Sequence, residues 1–283
     1  MKIEEYLISE LNRSSLSNPK QIASRFEKVA DDLLKKCILT FDDRIYLLTE
    51  IEFYYYSDIH PDPHVHRHPN QLKTGLWYFH KVGQDLTFGS EGSYGGILIR
   101  GVATNNELTK DNFNNEKAYD DKLNYGKLNR DELVFTDGPV KTFDELFNRQ
   151  LSLDRAHSFH VELSEKSVIP EGQKIYSFPR VGLHPQGREH DEEYLFKRYR
   201  YLSHPWMTKA ERHVIYLYLK YLDKDDELTE KLQADKSMIR DYERAFFEGQ
   251  RMDWVAAENI LAGKLKMNVL NKCRLLGWYG KNG

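Results

Sequence analysis

The sequence predicts an α+β protein with a mixed or antiparallel curved sheet, flanking helices and a C-terminal helical appendage. Up to about residue 206, one amphipathic helical stretch is followed by short apolar runs that alternate with polar residues and are separated by turn signals. From Thr208 onward, apolar residues recur at the three- and four-residue spacing of helices. We therefore predict an α+β domain at residues 1–206 and a helical appendage at residues 207–283.

Composition indicates the class of protein. Hydrophobic residues make up 40% of the chain and charged residues 30%, values typical of a globular protein with a substantial core. No apolar run approaches the ~20 residues that span a bilayer, so we expect no membrane partner. The chain has 2 cysteines, Cys37 and Cys273, which favours a reducing cytoplasm over a disulfide framework. A net charge of −3 argues against a protein that coats nucleic acid but leaves room for a local basic face.

The first elements follow from caps and periodicity. Asn18-Pro19 is a helix start, and apolar residues then recur on one face through residue 36. Cys37–Phe41 and Arg44–Tyr54 are predicted strands joined by a tight turn. Because side chains alternate along a strand, Glu50 and Glu52 should point to the same face of the sheet.

The remaining elements are predicted from shorter signals. Residues 83–96 form a Gly-rich connection, residues 104–130 form a polar surface excursion, and the Thr208 segment TKAE is a capping box that starts a helix. The other predicted strands are Leu76–His80, Ile97–Val102, His157–Leu163, Ile175–Phe178 and Glu193–Leu202, and the other predicted helices are Thr142–Asn148 and residues 226–233, 237–248 and 253–262.

Two charged residues, Glu52 and Arg100, lie in stretches that are predicted to be partly buried. Glu52 stands between Ile51 and Phe53 and leads into three tyrosines, an environment that would raise the pKa of a carboxyl group. The alternative is an ordinary outward-facing Glu on a half-buried strand. Arg100 ends an apolar run and needs a partner, for which Glu52 is a candidate; a structural ion pair explains Arg100 equally well.

A histidine-rich loop raises the question of a metal. His60, His64, His66 and His68 follow one another at spacings of four, two and two, and their nitrogens are donors that zinc accepts. No HExxH helix or CxxC pair supports a defined site, and three prolines make the loop irregular. We therefore predict no metal and no cofactor, and keep a metal-dependent hydrolase built on this loop as the second alternative.

A basic set near residue 200 has the composition of a phosphate-binding surface. Arg180, Lys197, Arg198 and Arg200 alternate with tyrosines and a phenylalanine. Such residues suit contacts with a nucleic-acid backbone. The ordinary explanation is a half-buried strand with a solvated basic face.

Seven short motifs occur in the order found in one enzyme family. They are TEIEFY at 49–54, RHPN at 67–70, TGLWYFH at 74–80, GGILIRGV at 95–102, DGPVKTF at 137–143, PRVGL at 179–183 and RYRYLSHPW at 198–206. In this order, and after the early helix with IASRF, they resemble the alkyladenine (3-methyladenine) DNA glycosylase family from about residue 18 to residue 206. The order of all seven motifs carries the resemblance.

The resemblance implies an enzyme of base excision repair that acts on DNA containing a modified base. Glu52 would be the general base that activates water, and Arg100 would hold that water and the carboxylate. The base pocket would be lined by Tyr54, Tyr78, His80 and one of His64 and His66. Such an enzyme extrudes the damaged nucleotide and stacks it on aromatic side chains. An alkylated purine is cationic, which makes it a good leaving group and a partner for a tyrosine ring.

The chain departs from this family in the segment that follows the aromatic strand. The family has a hairpin there whose Tyr fills the gap left by the flipped base, whereas residues 81–89 read KVGQDLTFG. Phe88 is the nearest aromatic substitute. The first alternative to the glycosylase is therefore a catalytically silent relative that binds nucleic acid or a nucleotide.

Overall fold

The structure is a computed structural model that describes residues 1–12, 14–105, 133–147, 158–165, 167–170, 172–185, 191–232 and 236–282. The predicted excursion at residues 104–130 lies almost entirely outside them. The strands are β1 Cys37–Phe41, β2 Arg44–Ser57, β3 His60–Pro61, β4 Thr74–His80, β5 Gly83–Phe88, β6 Tyr94–Thr104, β7 Val134–Asp137, β8 Phe159–Leu163, β9 Tyr176–Phe178 and β10 Arg200–Leu202. The α-helices are α1 Ile3–Glu10, α2 Pro19–Lys36, α3 Pro139–Phe147, α4 Asp191–Leu195, α5 Arg212–Leu217, α6 Asp226–Lys231, α7 Lys236–Arg251, α8 Trp254–Leu261 and α9 Val269–Asn282.

The predicted opening helix and hairpin are confirmed. The Asn18 side chain accepts a hydrogen bond from the Gln21 backbone N–H at 3.0 Å and so caps α2, which ends at Lys36. Strands β1 and β2 are antiparallel, with Phe41 opposite Arg44, and Asp42 makes the turn at a φ of +50°. Strand β2 is three residues longer than predicted because Tyr55, Tyr56 and Ser57 continue it.

The strands form one curled, antiparallel sheet with flanking helices, which confirms the predicted α+β class. Its order is β4-β5-β6-β2-β1-β8, with β7 beside β6 and with β3 and β10 beside β2. Strand β5 was not predicted, because the Gly-rich stretch 83–96 has few of the apolar residues that indicate a strand. It lies between β4 and β6 and pairs with both.

One face of the sheet packs against α2 through aromatic rings. Phe26 of α2 stacks on Phe53 with ring centroids 4.4 Å apart, and Tyr55 stacks on Phe88 at 5.8 Å. All four side chains are buried. Because alternate residues of a strand point to opposite faces, the neighbours of Phe53 on β2 point to the other face of the sheet.

Two sequence expectations beyond residue 190 are wrong, and one helix was not predicted. Residues 193–202 are not one strand: α4 ends at Leu195 and the strand β10 begins at Arg200. The Thr208 capping box does not form, because the Thr208 hydroxyl accepts a hydrogen bond from Arg200 Nη2 at 3.1 Å and Glu211 pairs with Lys272. The helix starts instead at Arg212, and helix α9 was not predicted at all.

The chain groups into two compact units that interleave along the sequence. The first unit contains residues 1–60, 65–176 and 201–204, and the second contains residues 61–64, 177–200 and 205–283. The sequence predicted a single boundary at residue 206. The second unit, however, also contains residues 61–64 and 177–200, which precede that boundary. Among the helices that the structure describes, none has the length and apolarity that a bilayer crossing needs.

Two glycines let α7 and α9 of the second unit approach backbone to backbone. A Cβ on Gly249 would lie 1.9 Å from the Arg274 carbonyl oxygen, and a Cβ on Gly277 would lie 2.0 Å from the Phe246 carbonyl oxygen. Any side chain at either position would push the helices apart. The close contact explains why glycine, a poor helix former, occurs inside both helices.

Candidate active site

Functional side chains converge on the face of the sheet that does not pack against α2. Tyr78, Asp85, Leu98 and Glu52 are paired in a row across β4, β5, β6 and β2. Directly paired residues of an antiparallel sheet point to the same face, and so do residues two apart on a strand. The resulting polar face carries Glu50, Glu52, Tyr54, Tyr78, His80, Asp85 and Arg100.

The first cluster on the polar face is a guanidinium held between two carboxylates. Arg100 Nε lies 2.6 Å from Glu50 Oε1 and 3.4 Å from Glu52 Oε1. The Tyr54 hydroxyl donates to the second oxygen of Glu52 at 2.8 Å. Glu52 is 0% exposed, Glu50 2% and Arg100 5%, so all three charges are shielded from bulk water. This arrangement fixes the Glu52 carboxylate between a cation and a hydroxyl group.

Electrostatics keep the guanidinium charged. Burial alone would lower the pKa of Arg100, but the charges of Glu52 and Glu50, with the hydrogen bond to Glu50, outweigh burial and raise that pKa above its ordinary value. Removing either carboxylate would therefore leave less compensation for a buried positive charge.

A β-bulge brings both carboxylates to Arg100. The pairing of β2 with β6 shifts on both sides of Glu50, which lies opposite Gly101. A side chain at position 101 would collide with the Thr49 hydroxyl, since its Cβ would lie 2.6 Å from Oγ1. The Arg100 carbonyl accepts hydrogen bonds from the Gly138 N–H and the Thr142 hydroxyl, which anchors the start of α3 beside the site.

The second cluster on the polar face is built around Asp85. Its Oδ1 lies 3.0 Å from His80 Nε2, and its Oδ2 accepts a hydrogen bond from the Gln71 side chain at 3.2 Å. The His66 ring stands edge-on to His80 with centroids 5.0 Å apart. Burial first, and the neighbouring His80 second, lower the pKa of His66 below its ordinary value.

The ring of Tyr78 is already stacked. His68 lies parallel to it with centroids 4.5 Å apart and an interplanar angle of 14°. His68 is held in turn by the 3-10 helix Pro69–Leu72, because its Nδ1 accepts from the Asn70 N–H and its backbone N–H donates to Gln71 Oε1. An exposed histidine therefore covers one face of the tyrosine that was predicted to line a base pocket.

The two clusters lie at a distance suited to one ligand. One strand, β6, separates Glu52 on β2 from Asp85 on β5, so their backbones are two inter-strand spacings, about 10 Å, apart. A buried carboxylate can accept a proton from water, and imidazole and phenol rings can stack on or hydrogen-bond to a heterocycle. The polar face can therefore combine a base with a ring-binding group.

The structure brings most of the predicted site residues together. Glu52, Arg100 and Tyr54 meet in the first cluster, and Tyr78, His66 and His80 meet in the second. Sequence reasoning named Glu50 only as a neighbour on the same face and missed Asp85 and Gln71. His64 belongs to the second unit, where its backbone N–H donates to Asp62 Oδ1 at 3.0 Å.

Every member of the predicted basic set makes an ion pair or hydrogen bonds within the second unit, and two of the four, Arg180 and Arg200, are buried. Arg180 is 0% exposed and its Nη1 lies 2.7 Å from Asp62 Oδ2, while Arg200, also 0% exposed, donates to Thr208 Oγ1 and the Ala210 carbonyl. Lys197 pairs with Glu193 and Arg198 pairs with Asp223. We assign Arg180 and Arg200 to the interior rather than to a phosphate-binding surface, because neither guanidinium faces solvent.

The substitute proposed for the family's wedge residue is wrong. Phe88 is 2% exposed and stacked on Tyr55 in the core, so it cannot insert into a duplex. The turn between β4 and β5 carries Lys81 and Val82 instead, and Val82 is 47% exposed. An exposed aliphatic side chain, not an aromatic ring, stands at the tip of this hairpin.

The histidine loop gives no support to the metal alternative. His60 is buried and its Nδ1 lies 2.8 Å from the Tyr55 carbonyl oxygen, and His68 caps the 3-10 helix. Across the described parts of the chain, no three side chains of His, Cys, Asp or Glu are grouped in a way that could hold a metal ion.

Comparison with known proteins identifies one relative. The chain is 30% identical over 174 residues to "Uncharacterized protein L759" of Acanthamoeba polyphaga mimivirus, an alignment that covers 56% of this chain and 78% of the viral protein. The chain belongs to the family of that protein. No protein-family model matches the chain.

Proposed function

We propose that the protein is an N-glycosyl hydrolase that releases an alkylated or otherwise modified purine from DNA. The observation that carries the proposal is the buried Glu52 carboxylate, held between the Arg100 guanidinium and the Tyr54 hydroxyl on a polar sheet face that also carries rings. DNA as the substrate, and a glycosylase-like fold, rest on the ordered motifs that resemble the alkyladenine glycosylase family.

The roles follow from the chemistry of each group. Glu52 accepts a proton from the attacking water and stabilises the positive charge that develops on the sugar. Arg100 holds that carboxylate in place, because it contacts Glu50 and Glu52 together. Tyr54 fixes the second oxygen of Glu52. Tyr78, His66 and His80 form the wall that contacts the extruded purine.

A second candidate is a catalytically silent relative that binds nucleic acid through the same face. Two observations favour it: the hairpin tip carries Val82 rather than an aromatic wedge, and His68 already stacks on Tyr78. A silent binder would retain affinity for damaged DNA without releasing base.

The wild-type protein decides between these candidates. When the wild-type protein is incubated in molar excess over duplex DNA that contains 7-methylguanine, it should release free 7-methylguanine and leave an equal number of abasic sites. The same reaction in the presence of EDTA should proceed at an unchanged rate. Binding without base release would establish the silent relative, and release abolished by EDTA would favour the metal-dependent hydrolase.

A further inference from the structure

The second unit exposes aromatic rings and cations side by side where α7, α8 and α9 meet. Trp254, the first residue of α8, is 51% exposed, and its ring contacts that of Trp278 on α9 with centroids 5.5 Å apart. Lys281 follows Trp278 on α9 and donates a hydrogen bond to the Gln250 carbonyl at 3.1 Å. This bond places the Lys281 ammonium group beside the C-terminal end of α7, where Arg251 is the last residue.

A further exposed ring lies one turn earlier on α7. Phe247 is 38% exposed and contacts the Tyr221 ring edge-on with centroids 5.0 Å apart. The backbone contacts at Gly249 and Gly277 hold α7 against α9 at this level, so the rings are carried by two helices that cannot shift apart freely. We call the surface formed by these exposed rings, Trp278 and the two cations the tryptophan platform.

The charge around the tryptophan platform is positive. Residues 259–283 contain five basic residues and no acidic one. Two of the five pair with glutamates of the second unit, and the other three, Lys264, Lys266 and Lys281, are exposed. Within the described parts of the chain, neither Arg251 nor Lys281 is ion-paired, and both are exposed. Their charges are therefore available to an anionic partner.

We propose that the tryptophan platform binds single-stranded nucleic acid, with a base stacked on Trp254 and backbone phosphates paired with Arg251 and Lys281. Proteins that bind single strands combine aromatic rings, which stack on any base, with cations that follow the backbone. The inference is independent of the proposed hydrolase. It concerns residues after 206, which lie outside the resemblance to the glycosylase family.

A lipid surface fits the platform less well. Binding in the membrane interface scales with the apolar area that is buried, and α8 exposes two large apolar side chains, Trp254 and Val255. Asp253, the carboxylate beside them, caps α8 by accepting a hydrogen bond from the Ala256 N–H at 2.8 Å. Stacking of one base on one ring requires less apolar area than insertion among lipids.

The test measures binding of short, fluorescently labelled oligothymidylate and oligouridylate by the full chain. Trp254→Ala should weaken binding about tenfold, within the range for the loss of one base stack, whereas Trp254→Phe should retain most of the affinity because it keeps a ring. Arg251→Gln and Lys281→Gln should each lower the slope of log affinity against log salt concentration by about 0.7. The two probes, read in parallel, show whether the strand bound more tightly is DNA or RNA.

Two matched controls lie next to the platform. Val255 is 62% exposed and follows Trp254, and Arg244 is an exposed arginine of α7 two turns before Arg251. Val255→Ala and Arg244→Gln should bind both probes like the wild type. Glu52→Gln should do so as well, because Glu52 belongs to the first unit. Melting curves should show that each variant is folded.

Three results would overturn the proposal. The first is a wild type that binds neither probe, and the second is equal loss of affinity in Trp254→Ala and Val255→Ala, which would indicate an apolar contact rather than stacking. The third is binding to phosphatidylserine vesicles that both variants lose, with no effect of either on the oligonucleotides. Absence of base release together with intact oligonucleotide binding would contradict the hydrolase and leave the platform supported.

Discussion

Replacing Arg100 with Met is expected to lower the free energy of unfolding by about 3–5 kcal/mol at pH 7, the usual range for breaking a buried ion pair. The variant leaves Glu50 and Glu52 buried side by side without the cation that both contact. The two carboxylates then lie close together without that cation between them, and base release should be lost because Arg100 no longer orients Glu52. Chemical denaturation and the release assay measure the two effects.

Two further variants test whether the loss of the Arg100 charge causes the loss of stability. Arg25→Met removes a half-exposed partner of Glu10 and should change the unfolding free energy by less than about 1 kcal/mol. Combining Arg100→Met with Glu50→Gln should recover part of the lost stability, because it removes one of the two buried carboxylates. A double variant as unstable as the sum of the single variants would contradict the proposed charge coupling.

Arg180→Ala is expected to have a similarly large effect on stability, about 3–5 kcal/mol, because it strands a fully buried Asp62 carboxylate. Arg198→Ala is the comparison within the same unit. Arg198 also pairs with an aspartate, through two hydrogen bonds of 2.7 Å to Asp223, but its side chain is 40% exposed. Its loss should cost less than about 1 kcal/mol.

The same two variants also test whether these arginines have a structural role or bind phosphate groups. If Arg180 contacted DNA, Arg180→Ala would keep wild-type stability and weaken binding with a reduced salt dependence. We expect instead that Arg180→Ala unfolds at a lower denaturant concentration than the wild type. Measuring denaturation and DNA affinity on the same preparations distinguishes the structural role of Arg180 from a phosphate-binding role.

The parts of the fold that were predicted correctly are specified by neighbouring residues. Helix α2 has its cap, its proline and its apolar stripe within one segment, and β1 and β2 meet through a two-residue turn. The shared face of Glu50 and Glu52 needed only the alternation of a strand. Local signals of this kind remain valid because nothing distant competes with them.

Two of the errors have a distant cause, and one arises within a single short segment. Arg180 pairs with Asp62, which is 118 positions away in the sequence, so no local pattern distinguishes it from a solvated basic residue. The alternation at residues 193–202 arises instead from a short helix followed by a short strand. The Thr208 capping box fails because Arg200 and Lys272 take its two polar side chains.

Most of the candidate site was within reach of the sequence. Glu52, Tyr54 and Arg100 lie on strands that were predicted, and their meeting follows from pairing β2 with β6. Asp85 was missed because β5 itself was missed. Once the turn at residues 81–82 is recognised, the register places Asp85 opposite Tyr78 and within reach of His80.

The most direct test of the proposed mechanism measures DNA binding and base release together for wild type, Glu52→Gln and Glu50→Gln. We predict that Glu52→Gln binds 7-methylguanine duplex with nearly wild-type affinity and releases base at least about a hundredfold more slowly, since the amide cannot accept the proton of water. Glu50→Gln should lose less activity, because its amide oxygen can still accept a hydrogen bond from Arg100. Base release by Glu52→Gln at the wild-type rate would contradict the role assigned to this carboxylate.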